Sequence, residues 1–362
     1  MTENARFDAL DAKLHTGFSK LVEFAQAQHI SDIHIEPFQN TYRIRLRRDG
    51  LLHHYDNLEK ALSKRLVNFI KTEAKLDITE TRKPQDGRLQ IKLSEKMVDI
   101  RVSSCPTIQQ EKLVLRLLQS SRLTLDITTL GMDEKQAACF IKHIHSSEGL
   151  ILICGPTGSG KTVTLYSALQ TLNTIENNIV SIEDPVEIKI EGVNQVPTQS
   201  QIDLDFSKIL RSTLRQDPDI IMLGEIRDAE TANITLKASQ TGHLVLSSLH
   251  CHRAIDAFNR LKHLGVEPYD IAHNLKLIVS QRLVRLLCTI CQGKGCDKCH
   301  QGFQGRTGIF ELIEVNNALR EALVRKKTIK DSDCHTIGSL ESAAKQLIEQ
   351  SRTTEAELCR VL

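Results

Sequence analysis

Apolar residues are spaced differently in the first third of the chain and in the remainder. In FSKLVEFAQAQHI (18–30), Leu21, Phe24 and Ala25 share one face at helical spacing. SDIHIEPF (31–38) and TYRIRLRRDG (41–50) alternate as half-buried strands do, the second closing on the turn pair Asp49-Gly50. A helix is predicted over roughly 60–76, a turn over Lys83–Gly87, and strands near 88–93, 97–103 and 112–118. These elements make residues 1–119 an α+β domain, followed by a polar stretch, 120–131, that reads as a linker. From 132 onward the alternation gives way to continuous apolar runs, LILIC, IVSIED, IIMLGEI and HLVLSSLH, separated by helical segments. Such runs suit strands buried on both faces, so 132–362 is predicted to be an α/β domain with a largely parallel core. The end of the chain, from about 316, reads as helices, with Leu340, Ala343, Ala344 and Leu347 forming one stripe.

Composition narrows the function classes. The 362 residues carry 47 Lys+Arg against 45 Asp+Glu, a formal charge of +2, which argues against a nucleic-acid coat protein. Aromatic residues are 4% and Trp is absent, so stacking of single-stranded bases has little to work with, and no direct nucleic-acid partner is expected. No apolar run reaches the roughly 18 residues of a membrane span, and the charged first twenty residues lack a signal-peptide core. A cytoplasmic location is the expectation. Ten cysteines would be many for that compartment, but four of them fall between 288 and 299, a metal-site pattern rather than a disulfide framework.

The strongest chemical signal is GPTGSGKT (155–162), which follows the apolar run Leu150–Cys154 and precedes the helical stretch TLYSALQTL. Strand, glycine-rich loop and helix together are the context a phosphate-binding P-loop requires. Gly155, Pro156, Thr157, Gly158, Ser159 and Gly160 would wrap backbone N–H groups around the phosphates of ATP. Lys161 would reach the β- and γ-phosphates, and Thr162 would offer its hydroxyl to Mg²⁺. Two apolar strands downstream end in acids: IVSIEDPVE supplies Glu183, Asp184 and Glu187, and IIMLGEIRD supplies Glu225. A pair of acid-tipped strands after a P-loop suits carboxylates that orient water and the metal shell. His243 and His250 flank the next strand, where γ-phosphate sensing is the reading, and Arg82, Arg88 and Arg101 are candidate charge-neutralising groups in the first domain.

Cys288-x-x-Cys291 and Cys296-x-x-Cys299 are separated only by QGKG. Four thiolates at this spacing suit a closed tetrahedral Zn²⁺ site, which is structural because no coordination position stays open. A redox dithiol is the alternative.

SDIHIEPF, KPQDGR (83–88), VDIRVS (98–103), GPTGSGKT, SIEDPVE, LRQDPDIIMLGEIRD (214–228), TGHLVLSSLH, the paired C-x-x-C and GRTGIFELI (305–313) follow one another in this order. The series resembles the secretion and traffic ATPases of type II secretion, type IV pilus assembly and competence systems. The resemblance implies a homo-hexamer whose protomers join a PAS-like N-terminal domain to a RecA-like P-loop motor carrying a small zinc-binding subregion. It implies ATP-driven motion that acts on a polytopic membrane platform protein and, through it, on pilin-like subunits, with the ring peripheral at the inner face of the cytoplasmic membrane. By motif, Glu187 would polarise the attacking water, Glu225 would stand in the Walker B position, His243 and His250 would form the histidine box, and Arg88 and Arg101 would approach the phosphates. With SDIHIEP already at 31, the additional N-terminal domain of longer members is expected to be absent, whereas the cysteine pairs that retraction ATPases usually lack are present. The combination is most similar to short competence-type assembly ATPases. Type II secretion or pilus retraction are alternatives within this class, and a nucleic-acid motor or a non-hydrolysing scaffold lie outside it.

Overall fold

The computed structural model describes residues 3–93, 96–117, 125–199, 202–325 and 328–362, which form two compact units, 1–122 and 123–362. The first unit is a six-stranded antiparallel sheet with two helices. Its elements are α1 (Glu3–Ala27), β1 (Ile30–Phe38), β2 (Thr41–Arg48), β3 (Leu51–Glu59), α2 (Lys60–Glu73), β4 (Gln85–Leu93), β5 (Lys96–Pro106) and β6 (Glu111–Leu117), with strand order β3-β2-β1-β6-β5-β4. Alternation decides the layers. Ile33 and Ile35 of β1 join Ile44, Leu46, Leu113 and Leu115 in a core closed by Phe18, Val22 and Ala25 of α1 and Leu66, Val67 and Ile70 of α2. α1 begins well before the predicted residue 18, and LLHHYDNLE, whose outward positions are mostly polar and exposed, is an additional strand.

On the other face of this sheet, the buried acids Asp32 and Glu36 lie under a layer of cations. Asp32 accepts from Arg116 at 2.9 Å and lies 3.7 Å from Arg47. Glu36 pairs with Arg45 at 2.7 Å, Lys112 at 2.8 Å and Arg43 at 3.3 Å. Burial alone would raise the Glu36 carboxyl, but the Arg45 and Lys112 bonds outweigh it and hold it at about 2.

The second unit is built on an eight-stranded mixed sheet, ordered β14-β13-β12-β7-β11-β10-β8-β9. Its strands are β7 (Gly149–Cys154), β8 (Ile179–Glu183), β9 (Asn194–Pro197), β10 (Ile220–Leu223), β11 (Leu244–Leu249), β12 (Leu275–Leu287), β13 (Phe303–Glu314) and β14 (His335–Ile337). The six from β12 to β9 run parallel, while β13 and β14 are antiparallel additions. In β7, Leu150, Leu152 and Cys154 face one layer and Ile151 and Ile153 the other, so every residue of this strand is buried. α3 (Glu134–Ile144) and α4 (Lys161–Leu172) contribute to the second of these layers, through Phe140, Ile144, Leu165 and Leu169. The first holds α5 (Phe206–Thr213), α6 (Ala229–Gln240), α7 (Asp256–His263), α8 (Pro268–Asn274) and α9 (Asn317–Val324). β12 and β13 are long strands inside the region where the sequence pattern marks none: Gln281, Arg282 and Arg285 interrupt the apolar run of β12, and Gln304, Gly305 and Arg306 that of β13. Of the stretch expected as a linker, residues 125–131 are part of this unit: Ile127 is buried, with Leu125 and Leu130 packed beside it. Residues 118–124 lie outside the described set.

The C-terminal helices α10 (Leu340–Glu349) and α11 (Glu355–Val361) cover β12 and β13, with Leu340, Ala344 and Leu347 packed on Val284 and Ile309. Their anchor is Glu357, whose fully buried carboxylate receives Arg285 Nε at 3.0 Å, Arg285 Nη2 at 2.7 Å and the Arg285 backbone N–H at 3.0 Å, with Arg360 Nε at 2.8 Å. Among the described residues no helix is long and apolar enough to cross a membrane.

Burial would raise the Glu357 carboxyl, yet Arg360 and Arg285 bring it down from 4.5 to about 2. A carboxylate depressed in the folded state adds stability that is complete above its unfolded value and is lost as pH falls from about 4.5 towards 2. Replacing Glu357 by Gln leaves Arg285 without its charge partner inside the unit, and is expected to cost about 3–5 kcal/mol in urea unfolding followed by circular dichroism. The acid loss of stability over that window should also flatten in the variant.

Candidate functional site

The P-loop sits where β7 ends and α4 begins, at the carboxyl edge of the parallel strands. Gly155 and Gly160 have φ of +151° and +91°, and a Cβ on Gly155 would stand 2.5 Å from Ser159 Oγ and 2.7 Å from the Gln281 carbonyl. The tight loop therefore excludes any side chain there. Gly160 caps α4 without a side-chain acceptor, so the N–H groups of the first turn have no capping partner. The buried Ser159 hydroxyl also lacks one. Unsatisfied donors around a glycine-lined hollow, at the positive end of a helix, fit the oxygens of a triphosphate. Thr162 is exposed in the same turn, where its hydroxyl can ligate Mg²⁺. Lys161 Nζ folds back onto the carbonyls of Gly155 at 2.8 Å and Pro156 at 3.0 Å, and burial lowers its basicity against the opposing pull of nearby groups that include Glu225.

Gln281 holds this loop open. Buried on β12, it donates from Nε2 to the Ser159 carbonyl at 2.6 Å and accepts from Thr164 Oγ1 at 2.8 Å, tying loop and helix to one strand. Its neighbour Arg282, also buried, donates to the Gln281 carbonyl at 2.9 Å and to the His252 carbonyl at 2.5 Å, fixing the segment after β11. Neither residue carries a sequence signal. The only cue is a pair of polar residues interrupting an apolar run.

Glu225 follows β10 and is largely buried. It is ion-paired to Arg227 and lies 3.3 Å from His250 Nε2, while Arg227 reaches Asp184 at 3.5 Å. Burial and the Lys161 ammonium lower the His250 pKa, with Glu225 opposing, so at neutral pH the imidazole is neutral and can exchange a proton. His243 does not join it. It lies before β11, at the opposite end of a six-residue strand about 20 Å long, where its ring bonds Ala238 and Thr241. The two histidines of the expected box thus flank β11 at opposite ends, and it is His250, at the carboxyl end, that stands beside Glu225.

Among the acids at the end of β8 and just beyond it, Glu183, the last residue of the strand, is the buried one. Its carboxylate receives Tyr166 Oη, Ser181 Oγ at 2.6 Å and Gln195 Nε2 at 3.1 Å, the role of a positioning residue. Burial and Glu183 raise the Tyr166 hydroxyl, which accepts the Glu187 backbone N–H at 3.2 Å. Tyr166 stands on α4, so Glu187 is fixed to the helix that starts at the P-loop. In the first unit, Arg88 and Arg101 are register partners on β4 and β5, and Arg101 is also paired with Arg116 on β6. Arg82 lies in the exposed preceding loop, its backbone N–H and side chain turned to Glu80.

The four cysteines converge. Sγ separations are 3.9 Å for Cys288–Cys296, 3.6 Å for Cys291–Cys299 and 3.7 Å for Cys296–Cys299. Tetrahedral Zn–S bonds of about 2.3 Å demand sulfur–sulfur edges of about 3.8 Å. Backbone N–H groups of Gly295 and Cys296 point at Cys291 and Cys299 sulfurs, as donors do to thiolates. The donor set and its edges fit Zn²⁺.

The profile of the family described as "Type II/IV secretion system protein" matches residues 9–360. The chain belongs to this family. It is 42% identical over 370 residues to the protein transport protein HofB homolog of Escherichia coli, covering 95% of this chain and 80% of that one. Against the type IV pilus assembly ATPase PilB of Pseudomonas aeruginosa it is 41% identical over 352 residues, 90% of this chain and 62% of that one. The X-ray structure of the ATPase DotB of Legionella pneumophila superposes with a TM-score of 0.73 at 22% identity, over 95% and 94% of the two chains, a likeness of fold. As a member of the type II/IV secretion system family, the chain is an ATP hydrolase of the secretion and pilus-assembly class.

Gln281→Leu should preserve the β12 packing and release the loop. Losing two hydrogen bonds of about 1 kcal/mol each to a preformed cradle predicts a roughly tenfold or greater loss of affinity for a fluorescent ATP analogue, measured by titration.

Proposed function

We propose that the chain is the hexameric ATPase of a competence-type pilus or pseudopilus assembly machine, working at the inner face of the cytoplasmic membrane. The observation that carries the reading is the joining of an open phosphate cradle, a Glu225–His250 pair and a tetracysteine knuckle in one unit. Gly155–Thr162 bind ATP with Mg²⁺, the backbone N–H groups and Lys161 balancing the phosphate charge. Glu187 orients the attacking water, Glu225 organises the metal shell, and His250 reports the γ-phosphate to Glu225 and Arg227. Arg88 and Arg101 neutralise phosphate charge when the first unit closes on nucleotide, so that hydrolysis becomes motion between the units. Cys288, Cys291, Cys296 and Cys299 bind one structural Zn²⁺. The motion acts on a polytopic platform protein and advances pilin-like subunits into a fibre that supports DNA uptake. Likeness to the HofB homolog over most of both chains, together with the cysteine pairs, favours assembly over retraction.

Lys161→Ala should abolish Mg²⁺-dependent ATP turnover, and Glu225→Gln should keep nucleotide binding while turnover falls by about a hundredfold or more. A gene deletion should lose surface fibres and transformation together. Excess fibres in the deletion would instead mark a retraction motor, lost protein export with normal transformation would mark a secretion motor, and full turnover in Lys161→Ala would refute the motor reading.

A further inference from the structure

A second group of metal-type donors lies away from both the P-loop and the cysteine knuckle. Cys139 and His143 are four residues apart on α3 and so share one face. That face meets Glu314 at the end of β13, and the ligand atoms of Cys139, His143 and Glu314 all lie within 4.8 Å of one another. His143 Nε2 is 2.9 Å from Glu314 Oε1. On the neighbouring strand, His335 is the register partner of Glu314 and brings Nδ1 to 3.8 Å from Oε2. Cys139 is buried and the His143 side chain is only 12% exposed, while the His335 side chain is 60% exposed and free to turn.

We propose that Cys139, His143 and Glu314, with His335 as the fourth donor, form a second Zn²⁺ site that clips the edge strand β14 to α3. Sulfur, imidazole and carboxylate donors together match a borderline-soft divalent ion that accepts four ligands tetrahedrally. Zn–S bonds of about 2.3 Å and Zn–N or Zn–O bonds of about 2.0–2.1 Å place ligand atoms about 3.3–3.6 Å apart, so on closure the 2.9 Å His143–Glu314 contact lengthens slightly and the 3.8 Å His335–Glu314 contact shortens. The scaffold is already fixed: the Asp133–Gln136 capping box starts α3, and Gln136 Nε2 donates to the Phe310 carbonyl of β13 at 2.8 Å and the Ile337 carbonyl of β14 at 3.3 Å. Without metal, Glu314 is served by Lys142 Nζ at 2.8 Å. The Lys142 side chain is 70% exposed, so the ion can displace it into water. β14 is only three residues long, and a metal bond to His335 supplies an attachment that its few ladder bonds do not.

The test is zinc content and affinity of the full chain after chelation, reloading with Zn²⁺ and dialysis. Two zinc ions per chain are expected, falling to one in Cys139→Ser/His143→Gln and to one in Cys291→Ser/Cys299→Ser. If the knuckle alone fails to bind, the native chain holds one and the Cys139→Ser/His143→Gln variant none, which still supports this site. Lys142→Ala removes the competing ammonium and should tighten the second site about tenfold against a chromophoric chelator, a gain that a merely structural cluster would not show. Equal zinc in the native chain and a folded Cys139→Ser/His143→Gln variant overturns the proposal, as does unchanged zinc affinity in Lys142→Ala if the double variant does not fold.

Discussion

The second unit depends on a helix start, at α4, whose backbone donors receive no side-chain cap. A helix N-terminus usually recruits a Ser, Thr, Asp or Asn cap, and α3, α5 and α6 each have one in Asp133, Asp205 and Asp228. At α4 a glycine takes that place, leaving the first-turn N–H groups for the phosphates. Such an opening tends to collapse onto whatever acceptors are near, and Lys161 shows the tendency by bonding two loop carbonyls. Gln281, fixed inside the sheet, resists it by gripping both the loop and the helix.

The same economy of buried polar groups orders the surrounding chemistry. Glu183 is spent on Tyr166, Ser181 and Gln195, and this fixes the segment that bears Glu187. Glu225 keeps partial access to solvent and meets His250 and Arg227, groups that can exchange a proton or an ion pair. One acid is thus held in a saturated network, while the other stands beside an imidazole and a guanidinium. Arg282 on β12 bonds the His252 carbonyl and so ties the segment that follows His250 to the strand that also holds the P-loop through Gln281.

Much of this was legible in the residues, for a physical reason. The P-loop is a local device, strand, glycines and helix in sequence, and the cysteine pairs are separated by four residues, so their convergence needs no distant contact. The apolar runs of β7, β8, β10 and β11 announced strands covered on both faces. β12 was hidden because Gln281, Arg282 and Arg285 break its run, although each of them is satisfied by a partner far along the chain, such as Thr164 or Glu357. The placing of His243 and His250 at the two ends of one strand was legible, but which of them meets Glu225 depends on the direction of β11 in the sheet. Glu183 and Glu187 could be told apart only by burial, which a string of acids does not reveal.

The most direct test of the account is a crystal structure of the chain with Mg²⁺ and a non-hydrolysable ATP analogue. The account predicts phosphates against the N–H groups of the α4 N-terminus, Lys161 Nζ released from the Gly155 and Pro156 carbonyls to the β- and γ-phosphates, and Gln281 still bonded to Ser159 and Thr164. Nucleotide bound elsewhere, or bound at the loop with Lys161 still on its own carbonyls, would contradict it.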